Sequence, residues 1–372
     1  MRNARNTSPT TRTPNVPPAP ERAGSDTGTD DATGTTAPHR PARGTGLRAA
    51  GWLALVVAGY LLPALAGGSA RIYTTFVLIA IFAVMSYGAD VVLSYLGEVS
   101  LGHTLFWAAG AYLTGYVTVE SGWSPLPALV LALAVSTGLA LLVGLATLRT
   151  REFVFSLVTY ATAIIGLTVV SNLGPAGGSD GLVGIPMLEL PAVGGSYVAH
   201  NDTELWPIAY ALLVLVVLFI ARFRRSRLGV NALMTQMNGD LATSMGVDVR
   251  RTRVLVFVVS APITALAGWL YAYQRAYVSP DLLSSSFLLF MLTAVILPGR
   301  RQLLGPLVGA ALITTQQQLF SFGGDIDKIV LGGVLAVVLL LSPNGFAGLG
   351  RLLRESRSPR AAQPASIPAH TD

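Results

Sequence analysis

Few side chains in this sequence could carry chemistry, and those that could lie in or beside strongly apolar segments. Asp90 lies near the end of one such segment, and Glu98 follows it shortly before Ser100 and His103. Ionisable groups are costly inside a membrane, so there they mark a polar pathway or a buried partner. At a membrane interface the same carboxylates cost little, and both interpretations stay open for Asp90 and Glu98.

Amide side chains interrupt a later apolar segment at Gln316-Gln317-Gln318. Three successive amides point around most of a helix turn, so at least one must face protein or water. Hydrogen bonding between helices is the first interpretation, and lining of a polar path is the second. The spacing Gly305-x-x-x-Gly309 in the same segment favours close contact with a neighbouring helix.

Motifs for nucleotide and metal chemistry are missing from the sequence. A phosphate-binding P-loop needs a lysine followed by serine or threonine, and the one lysine, Lys328, is followed by Ile329. No His-Glu-x-x-His, Cys-x-x-Cys or Gly-x-Ser-x-Gly pattern occurs, and the four histidines are too scattered to suggest a metal site. We therefore expect no enzyme activity, ATPase site, cofactor or metal in this chain. If ATP drives its action, partner subunits must hold the ATP and Mg²⁺.

Composition indicates that the elements positioning these residues are membrane helices. The 372 residues are 52% hydrophobic and 12% charged, against roughly 25% charged in soluble domains. Runs such as Leu126–Leu148 carry no charge, and about 18 apolar residues can cross a bilayer as a helix. The sequence predicts an all-α polytopic membrane protein with about ten transmembrane or partly re-entrant helices. The predicted spans are approximately 49–67, 74–94, 101–119, 127–148, 152–173, 205–223, 254–273, 284–298, 303–321 and 328–342.

The two ends of the chain have a different composition from the apolar middle. Residues 1–46 are rich in Thr, Pro, Ala, Gly and Arg, and residues 351–372 are similarly polar. Such segments cannot bury enough apolar surface to offset chain entropy, so both are predicted to be disordered tails. The first apolar run starts too late for a signal peptide, and residues 47–350 form the predicted transmembrane domain.

The distribution of arginine predicts the orientation of the chain. With the N-terminus inside, the inner loops hold Arg149, Arg151, Arg300 and Arg301, together with seven arginines in loop 222–253. Cytoplasmic loops carry an excess of basic residues, so both termini are predicted to be cytoplasmic. Net charge +6 does not indicate nucleic acid, because the basic residues lie between apolar runs or in the tails. The Gly- and Pro-rich loop 174–204 contains no Lys or Arg and is predicted to lie outside.

The inner loop 222–253 contains the most informative pattern. Residues 231–245 can form one short helix that ends at Gly246, a residue type that favours helix ends. A loop that merely sets topology would explain the arginines. It would not explain a small-residue helix with a glycine stop on the membrane surface.

Four separated stretches carry a family resemblance. They are Tyr95-Leu-Gly-Glu-Val-Ser-Leu-Gly-His-Thr-Leu-Phe106, Arg151 to Asn172 continued by Gly177 to Pro186, Gly229 to Phe257, and Leu266 to Ala310 with Pro343-Asn-Gly345. Together these stretches resemble the LivM-type permease subunit of branched-chain amino acid ABC importers. They cover nearly all of residues 74–350 in the family's order. Asp90 stands where this family usually has Asn, Ser94 where it has Gly, and Glu98 where it has Gln. Leu297-Pro-Gly-Arg-Arg301 replaces a Gly-Gly-x-Gly turn, and Met237-Asn-Gly-Asp240 replaces an Arg-Glu-Asn-Glu type of run.

The resemblance implies a set of partners and a mechanism. The permease pairs with a second homologous permease, two cytosolic ABC ATPases dock on its inner loops, and an extracytoplasmic binding protein delivers the solute. Closure of the ATPases on ATP would move a coupling helix and switch access from one side to the other. The expected location is a bacterial cell (inner) membrane.

Two groups of residues follow as candidate sites. The ATPase-docking group comprises Asn231, Asp240, Leu241, Ala242, Met245 and Gly246. The candidates for a translocation path are Asp90, Glu98, Ser100, His103, Thr159, Gln316 and Gln317.

The cargo has alternatives at this stage. Branched-chain or other hydrophobic amino acids are the first expectation, and urea, short amides or another small solute are the alternative for the same type of permease. A stand-alone ion-coupled carrier would use Asp90 and Glu98 as coupling groups, but such carriers need ionisable groups deeper in the membrane. A membrane enzyme ranks lower, since no catalytic set is recognisable.

Overall fold

The computed structural model describes residues 44–147, 152–192 and 195–319, with isolated positions 326, 329 and 333. By contact, the chain divides into Met1–Ala50 and Gly51–Asp372, and only the helical residues 44–50 of the first unit are described. Most of the predicted N-terminal tail, the whole C-terminal tail, Arg149, Arg151 and nearly all of the predicted span 328–342 lie outside the described residues.

Eleven α-helices account for most of the described residues. They are α1 (Gly44–Leu65), α2 (Ala70–Leu96), α3 (His103–Ser121), α4 (Pro125–Ala146), α5 (Glu152–Asn172), α6 (Asp202–Phe223), α7 (Arg227–Met237), α8 (Gly239–Ser244), α9 (Val249–Arg275), α10 (Ser285–Ile296) and α11 (Gly305–Leu319).

Five helices in the described part of the chain are long and apolar enough to cross a membrane. They are Ala70–Leu96, Pro125–Ala146, Phe153–Asn172, Asp202–Phe223 and Val249–Arg275, and each overlaps a predicted span. The other predicted spans that fall on described residues coincide with α1, α3 and the shorter α10 and α11. The chain is therefore a mostly helical, multi-pass membrane protein, and the total of ten spans stays a prediction.

Helix α2 is the centre of the fold. Every residue from Val77 to Leu96 is buried, which requires protein on all sides of the helix. Helices α6, α9, α10 and α11 pack around it. Its start is capped by Ser69, whose hydroxyl accepts the Ile72 N–H, and it ends at Gly97 with a left-handed φ of 74°.

Helices α3 and α9 approach each other very closely through small residues. A Cβ added at Gly268 would lie 2.1 Å from the carbonyl oxygen of Trp107, and one at Gly110 would lie 2.2 Å from that of Ala265. The predicted close contact at Gly309 is also present, because a Cβ there would lie 2.0 Å from the carbonyl oxygen of Ala294 on α10. Small residues permit this backbone proximity, as in other membrane helix pairs.

Two small antiparallel sheets modify the all-α prediction. Strand β1 (Leu182–Val183) pairs with β4 (Tyr277–Val278), and β2 (Leu188–Ala192) pairs with β3 (Gly195–Ala199). Three of these strands lie in the segment predicted as a Gly- and Pro-rich outer loop. The glycines and prolines of this loop indicated turns, but they did not indicate which residues between the turns would pair as strands.

The single helix predicted for residues 231–245 is wrong, because two helices occupy this segment. Asn238 is extended, with φ −160° and ψ 105°, and its side-chain oxygen accepts the N–H groups of Asp240 and Leu241. This asparagine therefore caps the start of α8 and ends α7. The predicted stop at Gly246 is confirmed by its left-handed φ of 83°.

The loops fall into two groups at opposite ends of the helices. Near the start of α2, Asp202 on α6 contacts both Thr74 and Gln274, and β1 pairs with β4. Near its other end, α7, the start of α9 and the turn after α10 contact residues 94–98. The basic loop and residues 300–301 thus share one end, and residues 174–201 share the other.

Candidate functional site

The loop between α2 and α3 is tightly held by α5. The backbone N–H of Leu101 donates to Thr159 Oγ1 at 3.2 Å, and Ser156 Oγ donates to the Val99 carbonyl at 2.6 Å. A Cβ at Gly102 would lie 2.7 Å from the Thr159 carbonyl oxygen. Thr159 itself is fully buried, so it anchors this loop.

His103 joins three elements in the interior of the protein. Its Nδ1 lies 2.8 Å from Ser100 Oγ, and its Nε2 lies 3.1 Å from Ser260 Oγ on α9. The ring packs edge-to-face against Phe106 and Phe257. Both ring nitrogens are occupied by hydroxyl groups and the residue is buried, so in this conformation the imidazole is part of the packing.

Asp90 begins a chain of hydrogen bonds that leaves the interior of the membrane helices. Ser94 Oγ donates to Asp90 Oδ1 at 2.6 Å, and both residues are buried. The backbone N–H of Arg301 donates to Ser94 Oγ at 3.0 Å, and Arg301 Nε donates to the Ser94 carbonyl at 3.3 Å. Arg301 Nη2 then donates to Gln236 Oε1 on α7.

Glu98 and Arg253 form an ion pair between the loop after α2 and the first turns of α9. Arg253 Nη2 donates to Glu98 Oε1, and each side chain is 11% exposed. A pair so little exposed to solvent is weakly screened, and loss of one partner is costly. Glu98 was a candidate from the sequence, whereas Arg253 was expected only to help set the orientation of the chain in the membrane.

The predicted docking residues lie on α7, on α8 and at the end of α8. Leu241 and Met245 are 59% and 65% exposed, and Asp240 is exposed beside them. Ala242 is buried, and Asn231 on α7 is partly buried. The structure therefore places two exposed apolar side chains, Leu241 and Met245, on a short helix whose small residue Ala242 is buried.

The candidates for the translocation path do not form one cluster. Asp90, Ser100, His103 and Thr159 are buried within the chain, and Glu98 is paired with Arg253. Gln316 and Gln317 are partly exposed and lie near the end of α11 that is remote from Arg301.

Three side chains that form hydrogen bonds around the candidate residues were not predicted from the sequence. They are Ser260, Gln236 and the side chain of Arg301. An arginine in place of a turn glycine was a signal for the last, whereas nothing local marks the other two.

The opposite end of the molecule contains an open groove of about 460 Å³. Asp202 lines one side of the groove. Its carboxylate accepts hydrogen bonds from Thr74 Oγ1 and, at 3.4 Å, from Gln274 Nε2. Met187 and His200 also line the groove. Among the described residues, no group of three His, Asp or Glu side chains could hold a metal ion.

Comparison with known proteins gives matches to transport permeases. The sequence model of the family described as "Branched-chain amino acid transport system / permease component" matches residues 71–339. The chain is 25% identical over 297 residues to the high-affinity branched-chain amino acid transport system permease protein LivM of Salmonella typhimurium, covering 73% of this chain and 68% of that protein. The equivalent LivM protein of Escherichia coli is also 25% identical over 297 residues, covering 74% of this chain and 69% of that protein.

A relative named for a different cargo has the same percentage identity to this chain. The xylose/arabinose import permease protein XylH of Sulfolobus acidocaldarius is 25% identical over 288 residues, covering 74% of this chain and 78% of that protein. No solved structure matches the chain.

Proposed function

Since the chain belongs to the family of permease components of branched-chain amino acid transport systems, we propose that it is the membrane-spanning subunit of an ABC importer. It translocates a branched-chain or other hydrophobic amino acid across the bacterial cell (inner) membrane, with both its termini in the cytoplasm. Separate subunits bind and hydrolyse the ATP. The observation that carries this proposal is the family match over residues 71–339, which contains all helices from α3 to α11 and nearly all of α2.

The docking site for the ATPases is proposed at α7 and α8. Exposed apolar side chains are unfavourable in water, and Leu241 and Met245 both lie at the end of the molecule that also carries the arginine-rich loop. Asn231, Asp240 and Gly246 complete this surface, and the buried Ala242 lies beneath it. Gly246 ends α8 in a conformation that glycine adopts without strain.

The translocation path is proposed at a surface shared with a second homologous permease. Gln316 and Gln317 are the candidates that can contact such a path without repacking, because they are partly exposed. Asp90, Ser100, His103 and Thr159 reach it only when helices separate, since all four are buried in this conformation. Glu98 would first have to leave Arg253.

An extracytoplasmic solute-binding protein is the proposed partner at the opposite end. Residues 174–201 form two paired strands and a groove there, together with the ends of α2, α6 and α9. Helices α2 and α9 run from this end to the docking end, so they are the elements proposed to carry a change in this groove to the docking site.

The cargo has one specific alternative. XylH, which is named as a xylose/arabinose import permease, has the same percentage identity to this chain as LivM, so identity alone does not separate an amino acid from another small polar solute. Urea and short amides stay within the same alternative. An ion-coupled carrier acting alone is the less favoured class, because the buried Asp90 and the paired Glu98 already have protein partners.

The test is reconstitution with the proposed partners, namely a homologous permease, two ABC ATPase subunits and a solute-binding protein. We expect the chain alone to hydrolyse no ATP and to co-purify with ATPase subunits. The complex should then take up radiolabelled leucine only when ATP and the solute-binding protein are both present. Uptake by the chain alone, driven by a proton gradient and lost in Asp90→Asn, would establish the carrier instead.

A further inference from the structure

Arg301 occupies a backbone conformation that only glycine adopts freely. Its φ is 64°, and among the described residues Ala276 is the other non-glycine residue with a positive φ. A residue with a side chain is strained in this region, and the conformation persists when the surroundings compensate for the strain. The side chain and the backbone of Arg301 both supply such contacts.

The contacts of Arg301 point in two directions. Towards the interior, its N–H and Nε donate to the hydroxyl and the carbonyl of Ser94, the residue that donates to the buried Asp90. Towards the cytoplasmic end, its Nη2 donates to Gln236 in the last turn of α7. One side chain therefore bridges the buried carboxylate of α2 and the helix proposed to receive the ATPase.

Gln236 is itself held against the end of α2. A Cβ added at Gly97 would lie 2.8 Å from Gln236 Nε2 and 3.0 Å from its Cγ, so the amide lies directly on the glycine backbone. The amide of Gln236 is thus fixed between Gly97 and Arg301. A movement of α7 must either carry these groups with it or break both contacts.

We propose that Arg301 is a positioning residue, which ties α7 through Gln236 to Ser94 and Asp90 and so passes nucleotide-driven movement of α7 into helix α2. This inference rests on the proposed function and adds a specific residue to it. Arg301 is exposed, so its hydrogen bond to Gln236 contributes little to stability. A coupling free energy of 1–3 kcal/mol nevertheless corresponds to roughly 5–150-fold in function.

Arg301→Gly is the most informative substitution, because it removes both side-chain contacts and relieves the backbone strain. Arg300→Gly is the matched control, since Arg300 is an exposed arginine in the same turn. Gln236→Ala removes the same bridge from the other side. In the reconstituted complex, we measure molecules of radiolabelled leucine taken up per ATP hydrolysed.

We expect Arg301→Gly and Gln236→Ala each to lower this ratio by about fivefold or more, with unchanged amounts of co-purified ATPase. The double variant should be no worse than Arg301→Gly alone, because both substitutions remove the same hydrogen bond between Arg301 and Gln236. Arg300→Gly should retain the wild-type ratio. A wild-type ratio in Arg301→Gly, or losses that multiply in the double variant, would overturn the proposal.

A second measurement is independent of the cargo. The chain contains no cysteine, so spin labels can be placed at Met237→Cys on α7 and Leu304→Cys after the turn without other changes. In the wild-type background the label distance should stay the same with and without a trapped nucleotide. In Arg301→Gly it should shift by about 2 Å or more on trapping.

An unchanged distance in Arg301→Gly would show that Arg301 does not hold α7 to the turn, and would overturn this proposal alone. Absence of co-purifying ATPase from the wild-type chain would overturn the proposed function, and this proposal with it.

Discussion

Arg253 Nη2 donates to Glu98 Oε1, which joins the first turns of α9 to the loop that follows α2. These residues are separated by 155 positions in sequence, and both side chains are largely withdrawn from solvent. The pair lies at the end of the molecule that also holds α7 and Arg301. Glu98 is therefore part of the packing of this end as well as a candidate for the translocation path.

Breaking this pair from one side should be costly. Arg253→Ala leaves a carboxylate in a largely buried position, and we expect it to lower the free energy of unfolding by about 3 kcal/mol. Adding Glu98→Gln should recover much of that loss, because the remaining group is then neutral. Thermal unfolding of the purified chain in detergent measures both effects.

Arg250→Ala provides the control for charge alone. Arg250 is exposed in the first turn of α9, so its removal should change the free energy of unfolding by less than about 0.5 kcal/mol. An equal loss for Arg250→Ala and Arg253→Ala, or no recovery on adding Glu98→Gln, would show that the ion pair is not the cause.

The contact between α3 and α9 has no room for a methyl group at Gly268. Gly268→Ala places a Cβ 2.1 Å from the Trp107 carbonyl oxygen, so the helices must separate. Overpacking of this kind costs about 1–3 kcal/mol, and we expect a corresponding fall in the melting temperature. The matched variant Gly138→Ala on α4, where no atom lies within 4 Å of the added Cβ, should be neutral or stabilising by up to about 1 kcal/mol. Equal melting temperatures for the two variants would contradict the close contact.

Apolar contacts should dominate the docking of the ATPases. Leu241→Asp with Met245→Asp removes two exposed apolar side chains, each worth about 1.5–3 kcal/mol when buried in an interface. The amount of ATPase that co-purifies should therefore fall at least tenfold. Met187→Asp is the control, because this methionine is 54% exposed at the opposite end and should leave co-purification unchanged. Full recovery of ATPase with the double variant would remove α8 from the docking site.

Local sequence features predicted the helices well. The apolar length of α2 and the cluster of arginines in loop 222–253 are each properties of one continuous segment. Such properties can be read from the sequence of that segment alone. Gly246 was predicted as a helix end from its type alone, and its φ confirms it. The break at Asn238 was also signalled by its sequence, since asparagine before Gly-Asp is a strong helix cap, but the apolar residues on both sides suggested one helix.

Contacts between distant segments could not be predicted in the same way. Ser260 lies 157 positions from His103, and Arg301 lies 207 positions from Ser94, so no local pattern links them. These pairs form only because the packing of the helices brings the distant segments together. Asp90 and Glu98 stay predicted path residues, and their hydrogen-bond partners Ser94 and Arg253 emerged only from the structure.

The N-terminal tail offers a separate test of the domain boundaries. Residues 1–46 are expected to contribute no packing, because they contain few large apolar side chains. Deletion of residues 2–46 should therefore leave both membrane levels and leucine uptake within about twofold of wild type, as measured by immunoblot and transport in cells. Loss of uptake at unchanged membrane levels would show that the tail has a role.

Uptake of radiolabelled leucine into proteoliposomes tests the central claim most directly. The vesicles contain the chain, its homologous permease and the two ATPases, with the solute-binding protein outside and ATP inside. Uptake should require ATP and the binding protein together, and it should persist when ion gradients are dissipated. Uptake without any ATPase, abolished by dissipating the proton gradient, would contradict the assignment of this chain as a permease subunit of an ABC importer.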